Sequence, residues 1–180
     1  MDQIADEASI SKPMLYAYFN SKEGLYSACM RGAGKALVEA VHNSYNSERT
    51  VERRLWDGFL AYFTFVGERT EAWRLICFHT FPAIPEFRAI VFEVQQSLRS
   101  EVEELARLAS SETPADPMAD PQRREAFASA MFGAAETIAV GWLEDDERSP
   151  ETPCRHLMNF FWLGLENLVS GKQWNESQLA

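Results

Sequence analysis

The sequence of 180 residues predicts an all-α protein, with an N-terminal helix-turn-helix head followed by a larger helical body. Three observations predict this class. Apolar residues recur three and four positions apart along most of the chain, which is the spacing of one helix face. No segment shows the apolar–polar alternation of a half-buried strand. Serine and proline stand where several of these helical patterns begin, as they do at helix N-termini.

The head and a connecting helix are expected within residues 1–44. A helix over residues 1–8 is followed by a tight turn. A second helix begins after Ser11, whose side chain suits the N-cap position, and Pro13 falls in its first turn, where the missing N–H costs nothing. Ser21 is the expected N-cap of a third helix, which extends toward residue 43.

The body is expected to occupy residues 45–180. Its first helix begins near residue 51 and carries a stripe of Leu55, Phe59, Tyr62, Phe63 and Val66. The later segments are a short helix over 72–81, a break at Pro82 and Pro85, a long helix over 87–105, a loop over 110–121, and closing helices over 122–143 and 153–170.

The composition is that of a globular protein. Hydrophobic residues make up 46% of the chain, but no apolar stretch is long and uncharged enough to cross a bilayer. Asp2, Asp6 and Glu7 stand where a secretion signal has basic residues, so we expect no signal peptide. The three widely spaced cysteines fit buried thiols in a reducing compartment. We therefore expect a cytoplasmic protein without a membrane partner.

One run near the start combines Ile-Ala-x-x-Ala-x-Ile-Ser with Leu-Tyr-x-Tyr-Phe-x-Ser-Lys-Glu-x-Leu. The residues that carry this pattern are Ile4, Ala5, Ala8, Ile10, Ser11, Leu15, Tyr16, Tyr18, Phe19, Ser21, Lys22, Glu23 and Leu25. The run resembles the DNA-binding signature of TetR/AcrR-type transcriptional regulators. The resemblance implies a ligand-responsive repressor that binds a palindromic double-stranded DNA operator as a homodimer. It also implies that the body binds a small-molecule effector, which the sequence does not identify, and forms the dimer interface.

The chain starts inside what the resemblance makes the second helix of the head. Members of that family carry another helix before this run, packed behind the two DNA-facing helices. Two expectations follow. Either a longer reading frame supplies the leading helix, or the helix is lost and the protein is a ligand-binding helical dimer that no longer binds DNA. The genomic sequence upstream of Met1 distinguishes the two.

The net charge of −10 is unusual for a protein that binds nucleic acid, but the charges are unevenly distributed. Residues 9–35 contain four cationic side chains against Glu23 alone, a net of +3, so the remainder carries −13. An acidic body with a locally basic head limits non-specific binding to DNA while leaving one face of the head able to bind it.

Six residues of the head are the candidates for DNA contact: Ser11, Lys12, Pro13, Tyr16, Tyr18 and Lys22. Side chains near the N-terminus of a recognition helix reach base edges, where lysine donates to guanine and serine bonds several edges. Tyrosine hydroxyls, and a lysine at the start of the next helix, suit phosphate oxygens. The resemblance assigns Tyr16 and Tyr18 to the DNA backbone. The alternative is that both tyrosines only pack within the head.

Aromatic residues of the body are candidates for lining an effector cavity, together with a few polar side chains. The candidates are Phe59, Phe63, Trp73, Cys77, His79, Phe87, Met131 and Trp142. Ligand cavities are mostly apolar with a small number of placed polar groups. Ordinary core packing is the alternative for each residue, because aromatic stripes at helical spacing usually fill a core.

The last two helices are the candidates for the dimer interface. The residues concerned are Phe127, Met131, Ala134, Leu157, Phe160, Phe161, Gly164, Leu165 and Leu168. The resemblance implies that they pair with their counterparts in a four-helix bundle, and their broad apolar stripes with small residues suit such packing. A symmetric dimer would hold two recognition helices about 34–36 Å apart, one turn of DNA. Burial of the stripes within a monomer is the alternative.

Catalytic motifs are missing from the sequence, so we expect no enzyme activity. It contains no glycine-rich phosphate loop, no Gly-x-Ser-x-Gly elbow and no His-Glu-x-x-His pair. Residues 144–147 form an acidic run, which we interpret as solvated surface because no histidine stands at ligand spacing. No cofactor and no metal site is expected.

Overall fold

The computed structural model of the chain describes residues 1–45, 47–77, 84–109, 117–145, 149–164 and 167. Within these ranges the chain forms eight α-helices. They are α1 Asp2–Glu7, α2 Lys12–Phe19, α3 Lys22–Ser44, α4 Val51–Glu68, α5 Thr70–Arg74, α6 Pro85–Ala109, α7 Pro121–Trp142 and α8 Glu151–Leu157. A 3-10 turn covers Pro117–Ala119, and a π-helical turn, Met158–Trp162, continues α8. The prediction of an all-α protein is confirmed.

The 23-residue helix α3 joins the head to the body. It packs against α2 at one end and against α4 and α6 over the rest of its length. Polar pairs distributed along it hold it on α6, with the bonded atoms 2.9 Å apart in each of Ser27–Glu86, Arg31–Glu93 and His42–Glu101. A shift of α6 would therefore be passed to α3. The division between head and body at residue 44 stays a prediction.

The core of the body forms around α4. The predicted stripe on this helix is confirmed, because Leu55, Phe59, Tyr62, Phe63 and Val66 are all buried. They belong to one apolar cluster with side chains of α3, α6, α7 and α8. Among the partners on α6 are Ile90, Val91, Val94 and Leu98. Burial of this apolar surface is the main force that holds the helices of the body together.

Two predicted helices differ from the observed ones. The short helix expected over 72–81 is α5, Thr70–Arg74, and it ends in a tightened turn, in which the amides of Leu75 and Ile76 donate to carbonyls three residues back. The remainder of that prediction, residues 78–81, lies outside the described residues. The helix expected over 153–170 begins earlier, at Glu151, and a wider π turn, Met158–Trp162, interrupts it before residues 163–164 are α-helical again.

Cys77 and Cys154 are buried, as predicted, and burial raises the pKa of the Cys154 thiol to about 12. The prediction is wrong for Cys29, which is exposed. Cys29 lies on a side of α3 that borders an open apolar groove of about 510 Å³, here called the junction groove. The groove is lined by Ile4, Lys22, Glu23, Leu25, Tyr26, Cys29, Ile84 and Phe87. Separately, none of the described helices combines the length and apolar character needed to span a bilayer.

Candidate nucleic-acid interface and body cavity

The first two helices form a tight helix-turn-helix unit. Ala5 of α1 and Leu15 of α2 are buried, and the amide of Ile10 donates to the carbonyl of Ala5 at 3.0 Å across the turn. Ser9 in this turn has a φ of 55°, in the left-handed region. This conformation reverses the chain within three residues, so α2 packs directly on α1.

The N-termini of α2 and α3 are both capped by side chains that the sequence indicates. Ser11 Oγ accepts from the amide of Met14 at 3.4 Å, and Ser21 Oγ accepts from the amide of Gly24 at 2.9 Å. These bonds confirm Ser11 and Ser21 as N-caps of α2 and α3. Asn20, between the two helices, has a φ of 60°, which asparagine tolerates better than most residues. The direction of α2 relative to α3 is therefore set by this short junction.

The six candidate DNA-contact residues lie on the exposed side of the head. Ser11, Lys12, Pro13, Tyr16, Tyr18 and Lys22 are all exposed. Tyr18 is 73% exposed and Tyr16 42%, whereas Leu15, which precedes Tyr16 on the same helix, is 2% exposed. The side chain of Leu15 holds α2 on the head while the tyrosines point away from it. We call the six residues the exposed face of the head.

Lys12 is not free in this arrangement. Its ammonium nitrogen lies 2.8 Å from Asp2 Oδ1 and 3.0 Å from Asp2 Oδ2. The hydrogen bond and the charge of Lys12 lower the pKa of the Asp2 carboxyl, and Asp2 in turn raises the pKa of Lys12. Asp2 is missing from the sequence-based candidates. The pair joins the first residues of α1 and α2, ten positions apart, so no local pattern indicates it.

The body contains a small apolar cavity of about 40 Å³ between α3, α4, α6 and α7. Its lining consists of Val41, Tyr45, Leu55, Gly58, Phe59, Tyr62, Leu98, Val102, Met131, Phe132 and Ala135. Tyr62 Oη accepts from Trp73 Nε1 at 3.0 Å, and burial raises the pKa of Tyr62 and of Tyr45. Both phenols are therefore neutral at physiological pH. We call this space the body cavity.

The structure separates the predicted effector-binding residues into groups. Phe59 and Met131 line the body cavity. Phe63 and Trp142 pack on each other, edge to face, with ring centroids 5.8 Å apart. Trp73 donates a hydrogen bond to Tyr62, which lines the cavity. These three aromatic residues therefore lie in the layer behind the cavity lining. The others lie elsewhere: Cys77 is buried next to the end of α5, Phe87 faces Tyr26 at 4.7 Å in the junction groove, and His79 lies outside the described residues.

Three buried nitrogen atoms of the described residues have no hydrogen-bond partner: Gln95 Nε2, Arg99 Nε and Trp142 Nε1. An unsatisfied buried donor costs about 1–3 kcal/mol. Gln95 is one helical turn from Leu98, which lines the body cavity, so the two share a face of α6. Gln95 was not among the sequence-based candidates, because glutamines in an amphipathic helix, here Gln95 and Gln96, are typical of its surface.

The predicted dimer residues also fall into groups. Met131 and Leu157 are buried in the chain's own core, and Phe127 packs edge to face on Phe161 with centroids 5.8 Å apart. Ala134 is partly buried against the same core. Phe160 is 75% exposed and lies near Gly164, which has open space around it. Leu165 and Leu168 are outside the described side chains.

A stripe of small residues occupies the outer side of α7. None of these residues was among the predicted candidates for the dimer interface. The stripe consists of Ala126, Ala130, Gly133, Thr137 and Gly141, all exposed and spaced three or four residues apart. Such spacing keeps the stripe on one face of the helix. The acidic run after α7 is described only at Glu144 and Asp145, and among the described residues no group of three or more acidic, histidine or cysteine side chains could hold a metal ion.

A capped helix pair with an exposed polar face, joined by one long helix to a helical body, defines a helix-turn-helix regulatory protein. Comparison with known families supports this class for both the head and the body. Residues 51–164 match the tetracyclin repressor-like C-terminal domain, and residues 1–29 match the bacterial regulatory proteins of the tetR family. The chain belongs to the TetR family of transcriptional regulators.

Individual relatives are moderately similar. The chain is 26% identical over 169 residues to the HTH-type transcriptional activator FasR of Mycolicibacterium smegmatis, covering 93% of this chain and 74% of that protein. It is also 28% identical to a TetR-like transcriptional regulator from Rhodococcus sp. RHA1 of known crystal structure, with a TM-score of 0.64 and coverage of 92% and 83%. A second tetR-family structure from Rhodococcus RHA1 shares the fold, with a TM-score of 0.66 at 20% identity and coverage of 93% and 84%.

Proposed function

We propose that this TetR-family regulator binds a palindromic operator as a homodimer through the exposed face of the head, and that a small molecule in the body controls the binding. The arrangement of α2 supports the proposal most directly. Lys12, Tyr16 and Tyr18 are exposed on the helix whose other side is anchored by Leu15. Hydroxyl and ammonium groups on a protruding helix suit base edges and phosphates.

The outer side of α7 and the residues after α8 are the proposed dimer surface. The small-residue stripe on α7 allows the backbone of another helix to approach closely, and Phe160 and Leu163 add exposed apolar area next to it. Met131 and Leu157 are left out of this surface because they already pack in the core. Two copies related by a two-fold axis would present two heads to a palindrome.

The body cavity is the proposed effector site, in a closed state. Its volume of about 40 Å³ is close to the roughly 30 Å³ that one water occupies, whereas ligand sites usually measure about 300–1,000 Å³. An effector must therefore push α4, α6 and α7 apart. The lining favours an apolar molecule, and an acceptor oxygen near Gln95 would satisfy the buried donor there. Because α3 is bonded to α6, opening would move the head.

Selection of duplexes from a random pool tests DNA binding and symmetry together. We expect a pseudo-palindrome whose half-sites lie about one helical turn apart. If no sequence is enriched, the protein is the ligand-binding dimer without DNA affinity. A reporter placed behind the selected operator then gives the direction of regulation. The family resemblance predicts repression, while the name of the similar FasR describes an activator.

Replacing Tyr16 with phenylalanine is expected to weaken binding of the selected duplex about tenfold. The change removes only the hydroxyl, and a hydrogen bond to a charged group contributes about 1.5–3 kcal/mol. Fluorescence anisotropy with labelled duplex measures the effect. The matched control is Tyr26→Phe, because Tyr26 is also exposed but packs on Phe87 of α6 in the junction groove and is not a candidate for DNA contact. Equal losses in the two variants would refute the contact assigned to Tyr16.

Replacing Ala135 with leucine is expected to make the DNA complex unresponsive to the effector. The larger side chain fills the body cavity, at an overpacking cost of about 1–3 kcal/mol that a folded body tolerates. An apolar compound that releases the wild-type protein from its duplex should require at least about ten times the concentration for Ala135→Leu. Ala89→Leu, at an exposed position of α6 that lines no part of the body cavity, is the control. Equal release from both variants would place the effector elsewhere, with the junction groove as the next site to test.

A further inference from the structure

The ion pair between Asp2 and Lys12 lies at the point where the head would meet DNA. Lys12 Nζ contacts both carboxylate oxygens of Asp2, at 2.8 and 3.0 Å. Asp2 is in the first turn of α1, where the helix dipole favours a negative charge, and its carboxylate is bound by Lys12. Both side chains are exposed, Lys12 at 47% and Asp2 at 75%.

We propose that Asp2 competes with DNA phosphates for Lys12 and thereby restrains the affinity of the head for DNA of any sequence. The inference rests on the proposed function, since it takes Lys12 as a DNA-contact residue. On this view Asp2 sets the overall affinity for DNA through Lys12 and does not itself bind DNA. It lowers the affinity for non-specific duplexes, which the protein would otherwise occupy through charge alone.

The competition follows from the charges. A carboxylate and a phosphate offer the same kind of oxygen to the ammonium of Lys12. If Lys12 turns to a phosphate, Asp2 loses its partner and remains close to the DNA backbone, where two negative charges repel. If the pair persists, Lys12 neutralises no phosphate and releases no counterion. In either case the complex is weaker than it would be without Asp2.

The rest of α1 provides a matched control. Asp6 lies one helical turn after Asp2, on the same face of α1, and carries the same charge. No ion pair involves Asp6 within the described residues. A general repulsion between acidic residues and DNA would act through both positions, whereas competition for Lys12 acts through Asp2 alone.

The test is a double-mutant cycle on the full chain with a 30-base-pair duplex of random sequence as the probe. We expect Asp2→Asn to tighten binding about two- to fivefold at low salt, because exposed ion pairs are weak. The plot of log affinity against log salt should steepen by about one unit, for one additional phosphate neutralised. Asp6→Asn should leave the salt dependence unchanged. In a Lys12→Gln background, Asp2→Asn should give no more gain than Asp6→Asn.

The possible outcomes distinguish a failure of this inference from a failure of the proposed function. Wild-type binding that Asp2→Asn does not alter would overturn the inference alone. The same would follow if Asp2→Asn gave equal gains with and without Lys12, because Asp2 would then act only as bulk charge. If no variant binds the random duplex or any selected one, the proposed function and the inference fall together. Circular dichroism of each variant verifies that the exposed substitutions leave the helices intact.

Discussion

The Gly24→Ala variant is expected to lose DNA binding while its body stays folded. A Cβ atom at Gly24 would lie 2.1 Å from the carbonyl oxygen of Phe19 and 3.2 Å from its carbonyl carbon. These are backbone atoms, which cannot rotate away as the end of a flexible side chain does. Phe19 is the last residue of α2, so the added methyl group must displace the end of that helix from α3.

The displacement moves the exposed face of the head relative to the body. Each good contact with a base contributes about 1–3 kcal/mol, so the loss of two contacts weakens operator binding about 100-fold. Anisotropy with the selected duplex measures the affinity, and the cooperative thermal transition reports the body. The body should melt within a few degrees of wild type, because its core around Phe63 lies outside the head.

Gly32→Ala is the matched control on the same helix. A Cβ at Gly32 meets no atom within 4 Å, and the position is exposed. Alanine should stabilise α3 by up to about 1 kcal/mol through its higher helix propensity and leave DNA affinity unchanged. Wild-type affinity of Gly24→Ala would show that the junction between α2 and α3 does not set the position of the exposed face.

Local chemistry made much of the head predictable. The N-caps Ser11 and Ser21 bond to amides three residues on in the chain, so a short window of sequence contains both partners. The exposed face follows in the same way, because Leu15 alone marks the buried side of a short helix. Contacts between distant residues were not predictable. Asp2 meets Lys12 only because the turn at Ser9 brings the two helix starts together.

The body illustrates the limit of aromatic stripes. Phe59 and Phe63 are one helical turn apart on α4 and have the same pattern in the sequence. Phe59 lines the body cavity, while Phe63 is enclosed by Tyr62 and Trp142. Next to Phe59, Gly58 has no side chain and admits the ring of Tyr45, and both residues line the same cavity. Periodicity identifies the buried side of a helix, but the volumes on neighbouring helices decide where a cavity remains.

The Phe63→Ala variant is expected to lose about 3–5 kcal/mol of the free energy of unfolding. Phe63 is fully buried, and its ring packs edge to face on Tyr62 at 5.2 Å and on Trp142 at 5.8 Å. Truncation removes the transfer free energy of the ring and leaves a cavity that the surrounding helices only partly fill. Urea denaturation followed by circular dichroism measures the loss. A change below about 1 kcal/mol would mean that the core collapses around the site.

Phe160→Ala is the control for residue type, since Phe160 is 75% exposed and its removal opens no core cavity. In a monomer the change should stay within about 0.5 kcal/mol.

In the proposed dimer, Phe160 lies on the interface, and unfolding of a dimer depends on protein concentration. The urea midpoint of wild type and of Phe63→Ala should therefore rise with concentration, whereas that of Phe160→Ala should rise less or not at all. If all three midpoints are independent of concentration while sedimentation shows monomers, the exposed surface beside α7 has no dimer role. The comparison thus distinguishes a phenylalanine that stabilises the fold of one chain from one that stabilises the contact between two chains.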